Sequence, residues 1–458
     1  MKEVSIFGSG LIGSLLGIYL ARQKDCQVNI YERRPDLRRI YADGGRSINL
    51  ALSQRGWRSL EEVGLAQNVK RLGIPMYGRM MHSQQGTLTY QPYSKDNLAI
   101  YSVMRAMLNE ELINCADAYD NLTFYFEHKC VEIDFRNTTA KIEDMNTGEQ
   151  FSLRSDYLIG SDGAFSRVRA SLQRTDRFNY AQEYLEHGYK ELTIPPDPSG
   201  CWKLDKNALH IWPRKSFMLI ALPNLDGSFT CTLFLAFEGE NSFEALQTEK
   251  EVEHFFETYF PDALALMPDL VEEFFANPVS SLVTIRCAPW VKNNTLVIGD
   301  AAHAIVPFYG QGMNSGFEDC RLLNNILNEQ SDWKKAFQIF YQNRFQDAEA
   351  IADLALQNFV EMRDLVADPQ FLLRKKIENR LAELMPDKWI PLYTMVTFTD
   401  IPYSEAARIG KKQDSIMKKL MRMPDTAQLW QHDEWLLTTI NKIIHFKETD
   451  DMMVDLHI

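Results

Sequence analysis

Apolar and polar positions change period several times along the chain. Residues 4–7 form a short run of β-branched and aromatic side chains, a glycine turn follows, a helical apolar pattern continues to Arg22, and a second strand-like run ends at Glu32. This succession predicts a βαβ unit at the N-terminus. Further strand-like runs at 122–126, 140–143, 157–160 and 295–299 each close on Gly, Asp or a polar turn. Between His187 and Arg286 aromatic and aliphatic residues alternate with polar ones, with Pro and Gly between the runs, which predicts an antiparallel sheet. After Gly312 the spacing turns helical, as in Phe337, Phe340, Tyr341 and Phe345, and stays so to about Glu383; residues 435–458 are a candidate short amphipathic helix.

These elements predict an α/β protein. A Rossmann-like nucleotide-binding domain is expected over 1–180, with an excursion towards the substrate near 70–100, and its second part over 286–330. A β-sheet substrate domain is inserted at 181–285, and a helical region over 331–458 closes the pocket. The length of 458 residues agrees with two or three packed units, and 45% hydrophobic with 24% charged residues is an ordinary globular composition. A net charge of −13 without a dense basic run argues against nucleic acid as a partner. The seven cysteines are scattered without zinc-type spacing, which predicts a reducing cytoplasm and no metal site. Glycines 8, 10 and 13 interrupt the apolar N-terminus and no small-residue cleavage site follows, so a secretory signal is not expected. No window reaches the ~18 uninterrupted apolar residues of a spanning helix, and a soluble cytoplasmic protein is the expectation.

The chemistry begins at Gly8-Ser9-Gly10-Leu11-Ile12-Gly13, a G-x-G-x-x-G between strand and helix, with Glu32 and Arg33 at the end of the second strand. Such glycines permit a tight turn, close approach of backbone to a pyrophosphate and packing of helix on sheet, and the helix N-terminus favours phosphate charge. Glu32 can accept ribose hydroxyls and would repel a 2′-phosphate, which suits FAD or NAD better than NADP; the fingerprint leaves those two open.

Two later segments bear on that choice. The strand and turn around Asp162-Gly163, running into Ser166 and Arg167, resemble the D-G motif of flavoprotein aromatic hydroxylases. The segment Gly299-Asp300 resembles the G-D motif of the same family, whose aspartate meets the ribityl chain of FAD. The turn from Pro307 to Asn314 exposes backbone N–H groups at a helix start, an arrangement suited to negative charge on reduced flavin, with Gly312, Met313 and Asn314 nearest.

Over nearly its whole length the chain is similar to the kynurenine 3-monooxygenase family. The resemblance rests on Gly45-Arg46-Ser47-Ile48-Asn49-Leu50-Ala51-Leu52 and on the stretches at 188–192, 207–213, 221–226, 306–314, 357–362 and 393–398. It implies a para-hydroxybenzoate hydroxylase-like fold. It also implies an enzyme of tryptophan degradation that binds FAD, reduces it with transiently docked NADPH, forms a C4a-hydroperoxide with O2 and converts L-kynurenine to 3-hydroxy-L-kynurenine. Carried over position by position, Arg79 and Tyr93 hold the substrate carboxylate, with Asn358 and Tyr393 completing the polar end. The ring lies among Leu209, Ile220, Phe234, Phe308 and Met362, and Arg46, Arg105, Val131 and Asp300 belong to the FAD side. No catalytic base is expected, because the aniline nitrogen of the substrate activates its own ring. A homodimer is a further expectation. The competing readings are a related flavin hydroxylase of phenols or benzoates and a non-catalytic binding protein of the same fold.

Overall fold

The N-terminal strand Lys2–Phe7 is the inner strand of a six-stranded sheet because its side chains are apolar on both faces: Val4, Ile6 and Phe7 are all buried. The computed structural model describes residues 1–40, 48–94, 97–362 and 368–454. The sheet runs in the order Val291–Lys292, Thr295–Val297, Tyr157–Gly160, Lys2–Phe7, Cys26–Glu32, Leu122–Phe126, and all pairings are parallel except that of the outermost Val291–Lys292. The helix Leu11–Ala21 lies on it with nearly every residue buried. A Cβ at Gly13 would stand 1.9 Å from the Gly8 carbonyl oxygen, so the helix can start this close to the strand only with glycine there.

The second sheet has seven strands, in the order Ser280–Ala288, Asn179–Ile194, Phe229–Ala236, Phe217–Pro223, Ala208–Arg214, Gly78–His82, Leu88–Pro92. It departs from the sequence reading in three ways. It begins before residue 181, since the strand Asn179–Ile194 runs for 16 residues. It is mixed, because Ala208–Arg214 pairs in parallel with Gly78–His82 from the 70–100 excursion. Three helices, Glu249–Tyr259, Pro261–Leu264 and Leu270–Ala276, interrupt the expected run of strands. The first is announced by a capping box, in which the Thr248 side chain accepts from the Glu251 backbone and the Glu251 side chain returns the bond. These helices cover one face of the sheet, where Phe217, Leu219 and Ala221 pack with Phe255, Phe256 and Phe260. The alternate residues Met218, Ile220 and Leu222 face the other way, into a cavity.

Helical structure extends beyond residue 383, through Leu392–Phe398, Tyr403–Met421 and Asp433–Val454. The last is 22 residues long, where a short helix was expected. Among the described residues no helix is long and apolar enough to cross a membrane.

The helix Gly312–Glu329 joins these layers through buried charge. Asp319 accepts from the Gly299 backbone N–H at 3.2 Å, from His303 Nε2 at 2.6 Å and from Arg344 Nε at 2.7 Å. Burial alone would raise the Asp319 carboxyl; His303 and the Arg344 guanidinium beside it outweigh that and hold it below its usual value. A carboxylate depressed in the folded state contributes stability that is complete at neutral pH and lost as pH falls through its folded pKa, below about 4. Asp319→Asn is therefore expected to cost roughly 3 kcal/mol at pH 7 in urea unfolding. The gap to the parent should narrow as the pH is taken below 4, and a gap independent of pH would contradict this role.

Candidate active site

A cavity of about 500 Å3 runs between the two sheets and the start of the Gly312–Glu329 helix. At one end lies the glycine turn. Gly8 has φ +102°, and a Cβ there would meet the Ser161 carbonyl oxygen at 2.7 Å, whereas a Cβ at Gly10 would meet nothing within 4 Å. Gly8 and Gly13 are thus required by the fold, and Gly10 leaves open space in front of the backbone. Glu32 is oriented by two backbone donors, Ser9 N–H and Arg34 N–H, each at 2.9 Å. Arg33 and Arg105, the first residue of the helix Arg105–Ala116, stand on the cavity wall with Leu11 and Ile12.

Directly against the glycine turn, Asp162 accepts from Arg167 N–H at 2.6 Å through Oδ2, while its buried Oδ1 has no hydrogen-bond partner among the described residues. Burial pushes this carboxyl above its usual range. Asp300 opens the short helix Asp300–His303 on the opposite wall, after Gly299 at φ +61°. The residues present fit an FAD: open space at the glycine turn, an orphaned carboxylate oxygen and a second carboxylate where hydroxyls would lie, and backbone N–H groups at Gly312 and Met313.

At the far end stands a guanidinium among phenols. Arg79 lies 4.6 Å from the Tyr393 ring centre and 5.7 Å from that of Tyr93, and the two rings stack at 5.4 Å. Tyr393 also stacks on Tyr309 at 5.6 Å. Arg79 Nε and the Tyr93 hydroxyl are buried without a hydrogen-bond partner among the described residues. Burial would lower the guanidinium's pKa, yet Tyr393 and Tyr93 beside it raise it overall, so the group is charged. Burial pushes the Tyr93 phenol well above its ordinary value and keeps it a donor. A buried guanidinium with Nε unpaired, beside a phenol whose nearest polar neighbours are Arg79 and Tyr393, suits an anion with two oxygens.

Between the two ends, Leu209, Ile220, Phe234, Phe308 and Met362 line the walls. Phe308 sits 4.9 Å from Phe234 and stacks on Phe359 at 4.3 Å. Several expected site residues lie elsewhere. Asn358 does not join Arg79: its Nδ2 donates to the Phe308 carbonyl at 2.7 Å, holding the turn Pro307–Tyr309 from behind. The Asn314 amide is likewise consumed by protein, donating to the Ala51 and Gly310 carbonyls at 2.8 Å and accepting from Ser53 N–H at 2.9 Å. Tyr93 stays with the Arg79 end, its ring stacked behind Tyr393 and 5.7 Å from the guanidinium, while Val131 yields its place on the wall to Cys130 and Gly13 serves helix packing. Arg46 lies outside the described residues.

Residues 1–334 match the family model described as FAD binding domain. The chain is 48% identical over 434 residues to the kynurenine 3-monooxygenase of Flavobacterium johnsoniae, covering 94% of this chain and 96% of that one. It is 43% identical over 439 residues to the kynurenine 3-monooxygenase of Dictyostelium discoideum, covering 93% and 94%. The chain belongs to the kynurenine 3-monooxygenase family. Its fold is shared with 2-methyl-3-hydroxypyridine-5-carboxylic acid oxygenase, at TM-score 0.65 and 19% identity over 81% of this chain and 94% of that one. PqsL of Pseudomonas aeruginosa, solved in complex with 2-aminobenzoylacetate, has TM-score 0.64 and 19% identity over 79% and 97%.

For a member of the kynurenine 3-monooxygenase family, the wall residues that the sequence reading missed include Thr230 and Thr232. They share the strand Phe229–Ala236 with Phe234 at two-residue spacing, so period-2 alternation from Phe234 would have found them. The geometry at Gly10 yields a prediction. Its φ of −65° suits any residue, so Gly10→Val should fold with an unchanged apoprotein melting temperature and retain little FAD. Full flavin content, read from the absorbance ratio of purified protein, would contradict the pyrophosphate assignment.

Proposed function

We propose that this chain converts L-kynurenine to 3-hydroxy-L-kynurenine, with FAD bound and with NADPH and O2 as co-substrates. The observation that carries the reading is one juxtaposition. The cradle that fits FAD and the unpaired Arg79 Nε with the Tyr93 hydroxyl belong to opposite ends of one site, with an apolar gallery between them. An amino acid bearing an aromatic ketone matches that layout, with its carboxylate at Arg79 and its ring against Phe234 and Phe308.

Gly8, Gly10, Glu32, Arg33, Arg105, Asp162 and Asp300, with the N–H groups at Gly312 and Met313, would hold the cofactor. When bound, FAD takes electrons from NADPH and activates O2 for transfer of one oxygen atom to the substrate. The protein's own part is placement. Arg79 pairs with the carboxylate, and the hydroxyls of Tyr93 and Tyr393 donate to its remaining lone pairs. Leu209, Ile220, Phe234, Phe308 and Met362 exclude water from the reacting end and fix the ring carbon beside the amine. That amine enriches the ring carbon in electrons, so no side chain has to remove a proton before transfer.

The test is NADPH consumption by FAD-loaded protein in air, with and without L-kynurenine. Stimulation by kynurenine is expected, and stimulation by hydroxybenzoates in its place would contradict the reading. Arg79→Ala should weaken kynurenine binding by roughly 10- to 100-fold in flavin absorbance titrations, from the loss of a charge-assisted pair, with FAD content unchanged. Equal affinity in variant and parent would contradict the carboxylate assignment.

A further inference from the structure

We propose that Arg55 is a positioning residue for the substrate. It locks the short helix that carries Tyr393 to the helix that forms the flavin end of the cavity. The proposal rests on the kynurenine reading of the site and adds to it the element that fixes where the carboxylate clamp stands.

Arg55 lies in the first turn of the helix Gln54–Glu62, with its side chain fully buried. Its nitrogens reach three separate places. Nη1 donates to Glu318 Oε1 at 2.6 Å, Nε to the Val396 carbonyl at 3.3 Å, and Nη2 to the Ile401 carbonyl. The guanidinium also lies 4.0 Å from the centre of the Tyr403 ring.

Val396 belongs to the helix Leu392–Phe398, one turn after Tyr393. At seven residues this helix is too short to be stable by itself, and no side chain caps its N-terminus. The last four carbonyls of a helix have no partner within it, and a cation at that end is favoured by the helix dipole. Arg55 supplies both the donor and the charge. Two further ties stand at this end, a local one from the Thr399 hydroxyl to the Met395 carbonyl at 2.6 Å and an exposed ion pair between Arg58 and Asp400, which water screens. Arg55 therefore sets the place of the Tyr393 turn relative to Glu318, which sits in the helix Gly312–Glu329 whose first residues line the cavity.

Two features separate this role from general stability. Glu318 keeps a second buried partner, Arg344 Nη1 at 2.8 Å, so removing Arg55 does not leave an unpaired buried carboxylate. The Tyr403–Met421 helix keeps its own anchors, with the Tyr403 hydroxyl donating to Gln311 Oε1 at 2.9 Å and Ser404 N–H to Asp347 Oδ1 at 2.9 Å. Loss of Arg55 removes the buried charged anchor of the Tyr393 helix and leaves it to its apolar packing and the exposed Arg58–Asp400 pair, while its neighbours remain held.

The experiment is a double-mutant cycle of Arg55→Met and Tyr393→Phe in FAD-loaded protein, read by kynurenine titration of the flavin absorbance. Arg55→Met is expected to bind kynurenine about tenfold more weakly with unchanged FAD content. Tyr393→Phe should weaken binding clearly in the parent and little further in the Arg55→Met background, since the phenol is already displaced. Arg55→Lys keeps the charge beside Glu318 but cannot reach both carbonyls, so it should fall between parent and Met; it provides the same reading if Arg55→Met does not fold. Additive losses, or a lowered melting temperature with unchanged kynurenine affinity, would overturn the proposal alone. A parent protein that does not bind kynurenine would overturn the functional reading and this proposal with it.

Discussion

The buried charge on the Gly312–Glu329 helix is the constraint on which the architecture depends. Glu318 and Asp319 are sequestered from water and answered by Arg55, Arg344 and His303, which come from different parts of the chain. Burying such groups is favourable only when each carboxylate keeps a cationic partner, so the cluster restricts the arrangement of the layers around it. That arrangement sets the Gly299 turn, the start of the flavin-end helix and the C-terminal helices against one another. The cavity is the space left between elements positioned in this way.

A division of labour among glycines and polar side chains follows. Gly8 and Gly13 allow strand and helix to approach, while Gly10 faces open space. The amides of Asn314 and Asn358 look from the sequence like ligands, yet both are spent on backbone carbonyls of the turn between Pro307 and Gly312 or its neighbours. They hold the loop that faces the flavin. Among the described residues several buried polar atoms lack a protein partner, and three of them, Asp162 Oδ1, Arg79 Nε and the Tyr93 hydroxyl, belong to the two binding ends. In a folded protein an orphaned buried polar atom is costly, and its presence at a cavity marks where a ligand completes the hydrogen bonding.

Much of this was legible in the sequence because it is local. The βαβ unit and the D-G and G-D turns are short-range patterns and appear where the sequence puts them, and Phe217–Pro223 is a strand as expected, though it is apolar on both faces and does not alternate with polar residues. What escaped is non-local or masked by a stronger pattern. The parallel pairing of Ala208–Arg214 with Gly78–His82 joins segments more than a hundred residues apart, and nothing in either strand names its neighbour. The helices between Glu249 and Ala276 sit inside a sheet-like region, and only the Thr248 capping box signals them. The same limit applies to Asn358: the family resemblance implied a ligand for a carboxylate, whereas the Phe308 carbonyl to which it donates is set by tertiary contact.

The central claim, that one cavity holds both an oxygen-activating flavin and an aromatic amino acid clamped at Arg79, is tested most directly by turnover of L-kynurenine under heavy-isotope oxygen gas. The account predicts a product carrying one labelled oxygen on the ring carbon beside the amine. NADPH consumption that yields labelled hydrogen peroxide and unchanged kynurenine, or a product whose added oxygen comes from water, would contradict it.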